Sequence, residues 1–208
     1  MNNEIVIVGA GGHAKVCIEL LHEMGEKVAY CVGGKDSVEK CVGISVLKGD
    51  EHLPRLREAG YFRLFVAIGP NPLRQKLASY CTKLEYQLVN AISPRAVISP
   101  TARVGSGVAI MAGAVINAEA TIADLVIINT GATIDHDCQI GIAAHIGPQC
   151  GLAGNVTVGR ESFLGIGCKV IPRITIADNV VIGAGAVVIS GIKNDATAVG
   201  TPARIIKQ

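Results

Sequence analysis

The sequence predicts two folds in tandem: an α/β N-terminal domain with a Rossmann-like βαβ opening, then an all-β domain, a parallel β-helix of hexapeptide repeats. Three observations predict it. From Ile92 to Val188 every sixth residue is Ile, Leu or Val, seventeen positions without a slip. Two residues before most of them stands something small, such as Ala114, Cys138, Ala144, Cys150, Ser162 or Cys168. Ahead of the repeat, Ile5 to Val8 runs into Gly9-Ala10-Gly11-Gly12-His13-Ala14 and then into an amphipathic stretch, the pattern of a strand, a glycine turn and a helix.

A period of six fits neither a helix nor a simple strand. It fits a coil in which each hexapeptide supplies one short strand and one bend. Three hexapeptides close a triangular turn of eighteen residues. The aliphatic residue points into the prism and stacks on its equivalent one coil away, at about 4.8 Å. The small residue also points inward, near a corner. Glycine often follows the aliphatic residue (Gly105, Gly141, Gly147, Gly159, Gly165, Gly183), where φ > 0 or close approach is needed.

Composition agrees. Half the residues are hydrophobic and 3% aromatic, as a stacked aliphatic prism requires. The net charge is +2 and there is no basic run, so neither nucleic acid nor an anionic membrane is an expected partner. The apolar start after Asn2-Asn3-Glu4 is too short for a signal sequence or a membrane span, which places the protein in the cytoplasm. Seven scattered cysteines without a CxxC pair read as small core residues rather than as a disulfide or metal set, and Cys150 and Cys168, one coil apart, should stack.

In chain order, the first helix carries apolar Val16, Cys17, Leu20, Leu21 and Met24, and Gly25 ends it. Val28 to Val32 is a second strand. Gly9, Gly11 and Ala14 match the fingerprint G-x-G-x-x-[GA], but the acidic residue of a nicotinamide site is replaced by Val32-Gly33-Gly34-Lys35. What remains is a glycine turn presenting N–H groups to an anionic or polar ligand. A short helix follows Gly49, with Asp50 as its N-cap, and reaches about Ala59. Phe62 to Ile68 is a third strand, broken by Gly69-Pro70-Asn71-Pro72. Gly69 and Asn71 thus lie at a strand's carboxyl end, where open α/β sheets bind ligands. A helix over 73–81 and a strand at 87–89 complete a first domain of residues 1–90. The β-helix spans 91–191, and 192–208 form a turn and tail.

Only two of the five histidines lie in the repeat. His136, two residues past Ile134, sits at a corner and is followed by Asp137. A histidine held by a carboxylate is a common general-base arrangement. Gly154 is eighteen residues on, at the same corner, and its N–H is the expected donor to an oxyanion. His145 precedes Ile146 and should face outward. Two repeat histidines fall short of the three that a zinc site on such a prism requires, so no metal is expected.

These motifs resemble the hexapeptide-repeat sugar acetyltransferases, the PglD-, NeuD- and WeeI-like nucleotide-amino-sugar N-acetyltransferases. The resemblance rests on Gly9-Ala10-Gly11-Gly12-His13, Val66-Ala67-Ile68-Gly69 with Asn71 and Arg74, Asn129-Thr130, Ile134-Asp135-His136-Asp137-Cys138, Ala153-Gly154-Asn155-Val156 and Gly200-Thr201-Pro202-Ala203. It implies a left-handed β-helix and transfer of acetyl from acetyl-CoA to the 4-amino group of a nucleotide-linked 4-amino-4,6-dideoxy sugar. It implies His136 as general base and Asp137 in the place of a family Glu that raises its basicity. His145 would bind the thioester or pantetheine, with Ile166 and Ala184 along the pantetheine groove. Gly11, Gly12, His13 and Gly69 would bind the nucleotide sugar. The family also implies a homotrimer with active sites at subunit interfaces. Related enzymes often carry two acidic residues where this chain has Gly33-Gly34, which leaves UDP, dTDP and GDP all open. The alternative reading is an O-acetyltransferase acting on sialic acid or another sugar hydroxyl.

Overall fold

A computed structural model describes residues 2–207. The chain divides into two compact units, residues 1–94 and 95–208.

The first unit is a six-stranded sheet with helices. Its elements are β1 (Asn2–Val8), α1 (Gly12–Glu23), β2 (Val28–Gly33), β3 (Lys40–Cys41), β4 (Ile44–Lys48), α2 (His52–Glu58), β5 (Tyr61–Val66), α3 (Asn71–Lys83) and β6 (Gln87–Leu88). The strand order is β3-β4-β2-β1-β5-β6, parallel except for β3 against β4. Central β1 is buried on both faces, from Ile5 to Val8, as an all-apolar run in a covered parallel sheet should be. The helix α1 buries Ala14, Cys17, Ile18 and Leu21, a stripe at helical spacing. Val16, expected on that face, is exposed because 100° per residue carries it to the opposite side, and Met24 is exposed as the C-cap, beyond the last helical residue Glu23. Asp50 is not the cap of α2: the preceding residue is Glu51, already helical, with no side-chain cap. The β3–β4 hairpin, which the sequence reading passed over, turns at Val42 and Gly43, both at positive φ, and adds an edge.

This sheet positions two loops side by side. The loop after β1 and the loop after β5 leave adjacent carboxyl ends, and Ala67 donates its N–H to the Val8 carbonyl at 2.8 Å. Only glycine fits at position 9, since an added Cβ would stand 2.6 Å from the Ala67 carbonyl oxygen.

The second unit is a parallel β-helix. Two-residue strands pair with those eighteen residues away, as in Ile116↔Ile134↔Leu152↔Val170↔Val188. From Ile110 to Val188 the stacked aliphatic residues and the small residues before them are buried, while Ile92, Ile98, Ala102 and Val104 in the first coil are half-buried. Cys150 and Cys168 do stack, with sulfurs 3.5 Å apart. Every sixth residue from Gly107 to Gly185 has φ between 55 and 72, and most are not glycine. These left-handed residues turn the corners. The glycines that follow the aliphatic residues serve close approach instead: a Cβ on Gly141 would lie 2.7 Å from the Arg160 nitrogen. Beyond Gly191, where the sequence reading ended the repeat, Ile192 bridges Ile176 and Thr197–Val199 continues one ladder. Arg204–Lys207 then folds back antiparallel on it.

Candidate active site

His136 stands at the corner between strands Thr133–Ile134 and Gln139–Ile140. The turn requires φ 60 at Asp137, a conformation that Asp adopts more readily than most residues. It sets two consecutive side chains together, with His136 Nδ1 2.7 Å from Asp137 Oδ2. A carboxylate only accepts, so Nδ1 carries the proton and Nε2 keeps a free lone pair. The bond to Asp137 raises the His136 pKa above the ordinary imidazole value; partial burial opposes it, and the Asp135 charge reinforces it.

Asp135 holds the main chain of this corner. Its Oδ1 accepts the His136 backbone N–H at 2.8 Å and the Asn117 side-chain amide at 3.0 Å. Those two bonds hold its carboxyl below the usual carboxylate range. Asn117 is eighteen residues earlier, one coil away in the same column, so the ladder spacing alone names this pair. Along this side of the prism lies an open groove of about 560 Å³ lined by Asn117, Thr133, Asp135, Gly151 and Lys169.

Gly154 occupies the same corner one coil further. Its backbone is locked to His136, whose carbonyl accepts the Asn155 N–H at 3.0 Å. The imidazole lies directly against Gly154: an added Cβ would stand 2.5 Å from both Cε1 and Nε2. Among the described residues no acceptor takes the Gly154 N–H. A base and a spare donor therefore share one spot.

The residues expected at the coenzyme lie elsewhere on the prism. His145 points outward from the sheet containing Ile127, His145 and Phe163. The Asn129 amide reaches its Nε2 at 3.1 Å, and its ring meets Phe163 edge to face at 5.1 Å. Ile166 and Ala184 are exposed on the corner that follows Phe163–Leu164 and on its next coil. In a three-sided coil, the His136 corner lies opposite the His145 sheet. The Ile166–Ala184 corner is a different corner again. One chain thus brings His136, Asp137 and Gly154 together, and sets His145, Ile166 and Ala184 apart from them.

In the first unit, Gly11 precedes α1 and Gly12 opens it. Positions 11, 12 and 69 face open space, with no atom within 4 Å of an added Cβ. His13, on the first turn, is held neutral: burial and then the Arg74 charge push its pKa down to about 4. Its Nε2 lies 3.5 Å from Cys17 Sγ. Arg74, which the sequence reading gave no role, is 1% exposed on α3. At the end of β2 an added Cβ on Gly33 would fall 2.4 Å from Ser37 Oγ, so Ser37 fills the space that a side chain there would need.

A prism corner of this make belongs to the hexapeptide-repeat acyltransferases, and the comparisons narrow the class. Residues 4–81 match the PglD N-terminal domain family. The chain is 50% identical to PerB from Caulobacter crescentus, crystallised with CoA and GDP-perosamine, over 99% of this chain and 98% of that one, with a TM-score of 0.96. It is 35% identical to the acetyltransferase domain of PglB from Neisseria gonorrhoeae, solved with acetyl coenzyme A, over 99% and 100% of the two chains, with a TM-score of 0.92. WeeI from Acinetobacter baumannii shares the fold at 24% identity, covering 98% and 99%, with a TM-score of 0.89. The chain belongs to the hexapeptide-repeat sugar N-acetyltransferases, acyltransferases that use acetyl-CoA as co-substrate. No helix among the described residues is long and apolar enough to cross a membrane.

Proposed function

We propose that this chain transfers acetyl from acetyl-CoA to the amino group of a GDP-linked 4-amino-4,6-dideoxy sugar, with His136 as general base. The observation that carries the mechanism is the His136–Asp137 pair at 2.7 Å, with its free Nε2 against Gly154. The choice of GDP is supported by full-length similarity to PerB, whose crystals held GDP-perosamine.

In this mechanism the sugar amine attacks the thioester carbonyl, Nε2 takes the proton that the nitrogen loses, and collapse of the tetrahedral intermediate breaks the C–S bond, the His136 imidazolium returning the proton to the departing CoA thiolate. Asp137 keeps Nδ1 protonated and steadies the imidazolium. The Gly154 N–H donates to the oxyanion as it forms, where charge develops rather than where it starts. Gly11, Gly12, His13 and Gly69 hold the nucleotide sugar by backbone N–H groups and a neutral imidazole.

The active unit in this reading is a homotrimer. His145, Ile166 and Ala184 lie on other faces of the prism from His136, so a coenzyme lying against them meets the His136 corner of a neighbouring copy. Exposed Phe163, Ile166 and Val181 supply apolar surface for that contact. The location is the cytoplasm, where both substrates are made.

The test is thiol release from acetyl-CoA with GDP-, UDP- and dTDP-linked 4-amino-4,6-dideoxy sugars and with sialic acid. Turnover on the GDP sugar is expected. Turnover on sialic acid with silence on every amine would replace this reading with O-acetyl transfer.

A further inference from the structure

At the His136 corner one main-chain N–H falls outside the ladder. Its neighbours are paired: the Asp135 N–H bonds the Leu152 carbonyl at 3.0 Å, and the Asp137 N–H bonds the Ala118 carbonyl at 3.0 Å. Among the described residues no carbonyl takes the N–H of His136. In steps of eighteen the same column reads Pro100, Ala118, His136, Gly154 and Pro172. Proline suits it because proline brings no N–H to satisfy. At Gly154 the group stays free, as a donor to an oxyanion must.

At His136 the group is capped by a side chain. Asp135 Oδ1 accepts it at 2.8 Å and accepts the Asn117 amide at 3.0 Å as well. Asn117 stands in the coil before the base and Gly154 in the coil after it. The Asn117 main chain is tied to the coil of the base too, its N–H bonding the Ile134 carbonyl at 2.9 Å. The His136 side chain is 56% exposed, so no packed core fixes its ring. Hydrogen bonds and the bare α-carbon of Gly154 must do so instead. An aspartate has more than one staggered rotamer within reach, and the Asn117 amide selects the one that caps His136.

Resting on the general-base reading above, we propose that Asn117 is a positioning residue for His136: its amide holds the Asp135 carboxylate where it caps the His136 N–H, and so sets the imidazole at its working distance from Gly154. The base is then bounded on both sides of its own coil, through Asp135 from behind and by Gly154 ahead. Asn117 is itself exposed, so its bond contributes little to the fold and acts on geometry.

The experiment is steady-state kinetics of the full-length protein with acetyl-CoA and the GDP-linked 4-amino sugar, beside thermal melts. Asn117→Ala should lower kcat about tenfold, with both KM values within about twofold of wild type and the melting temperature unchanged. The acid limb of its pH profile should stay in place, because Asp137 still sets the basicity of the imidazole. Asp135→Ala should lose at least as much, and the double variant no more than Asp135→Ala alone, since Asn117 acts only through Asp135. Asp135→Asn keeps an oxygen that accepts both donors and should recover most of that loss. Wild-type kcat in Asn117→Ala overturns the proposal, as do losses that multiply in the double variant or a fall in kcat that tracks the melting temperature. If Asn117→Ala does not fold, the two Asp135 variants decide, and equal kcat in both overturns the proposal. Wild-type kcat in His136→Asn overturns the general-base reading beneath it.

Discussion

The imidazole of His136 rests against the bare α-carbon of Gly154, so closely that a methyl group there would come within 2.5 Å of Cε1 and Nε2. The two residues are eighteen apart and share a corner. Position 154 is not in the left-handed region, so alanine fits the backbone and its effect isolates the contact. Gly154→Ala should turn the His136 ring away and lower kcat about a hundredfold, because a displacement near 1 Å at a reacting group has that cost. Thermal melting should shift little. An alanine variant with wild-type kcat would remove Gly154 from the site.

His136→Asn removes the base while keeping a side chain of similar width. The side chain is 56% exposed and carries no core packing. We expect kcat to fall by about 10²–10⁴ with an unchanged melting temperature. Steady-state rates beside a thermal melt separate loss of chemistry from loss of fold.

Asp137→Asn tests the pairing. The base works only when neutral, so the rate falls as the pH drops through the His136 pKa, which the carboxylate holds above its ordinary value. Asparagine keeps the left-handed corner but withdraws the negative charge. The acid limb of kcat/KM should move to lower pH, and the plateau should drop because the histidine is a weaker base. A limb that does not move would mean that His136 is not the titrating group.

His13 makes stability depend on pH. An unfolded histidine titrates near 6.5, the folded one near 4. Between those values the unfolded chain binds the extra proton, so stability falls as the pH is lowered from about 6.5 toward 4. From pH 7.5 to 5.5 the loss from this group should be about 1.4 kcal/mol. Urea denaturation of wild type and His13→Asn at those two pH values measures it as the difference between their slopes.

The trimer is tested by complementation. His136→Asn lacks the base, and Ile166→Asp spoils the groove on another corner. Each alone should be inactive. Co-refolded as an equal mixture, about a quarter of interface sites receive an intact corner and an intact groove from different copies, and activity should return in that proportion. No recovery, with a monomeric mass by light scattering, would sink the shared site.

Much of this was legible in the sequence because the prism repeats. An inward aliphatic residue every six positions fixes which residues stack, so Gly154 could be placed under His136 by counting eighteen. The same counting would have found Asn117 beneath Asp135. In the first unit no such period exists, and errors follow: Val16 and Met24 were put on the buried face of α1, and Asp50 was given a cap that the chain does not form.

The sequence by itself determined the two folds, the coil register and the identity of the His136–Asp137 corner, since each follows from local spacing and from one obligatory turn conformation. The same register sets His145, Ile166 and Ala184 on other faces of the prism from His136, as the strand ladders show. Only the tertiary structure showed Arg74 buried against the Gly69 loop and Ser37 filling the space beside Gly33. Those facts depend on side chains meeting across elements distant in sequence, where packing and charge act through space and leave no period to read.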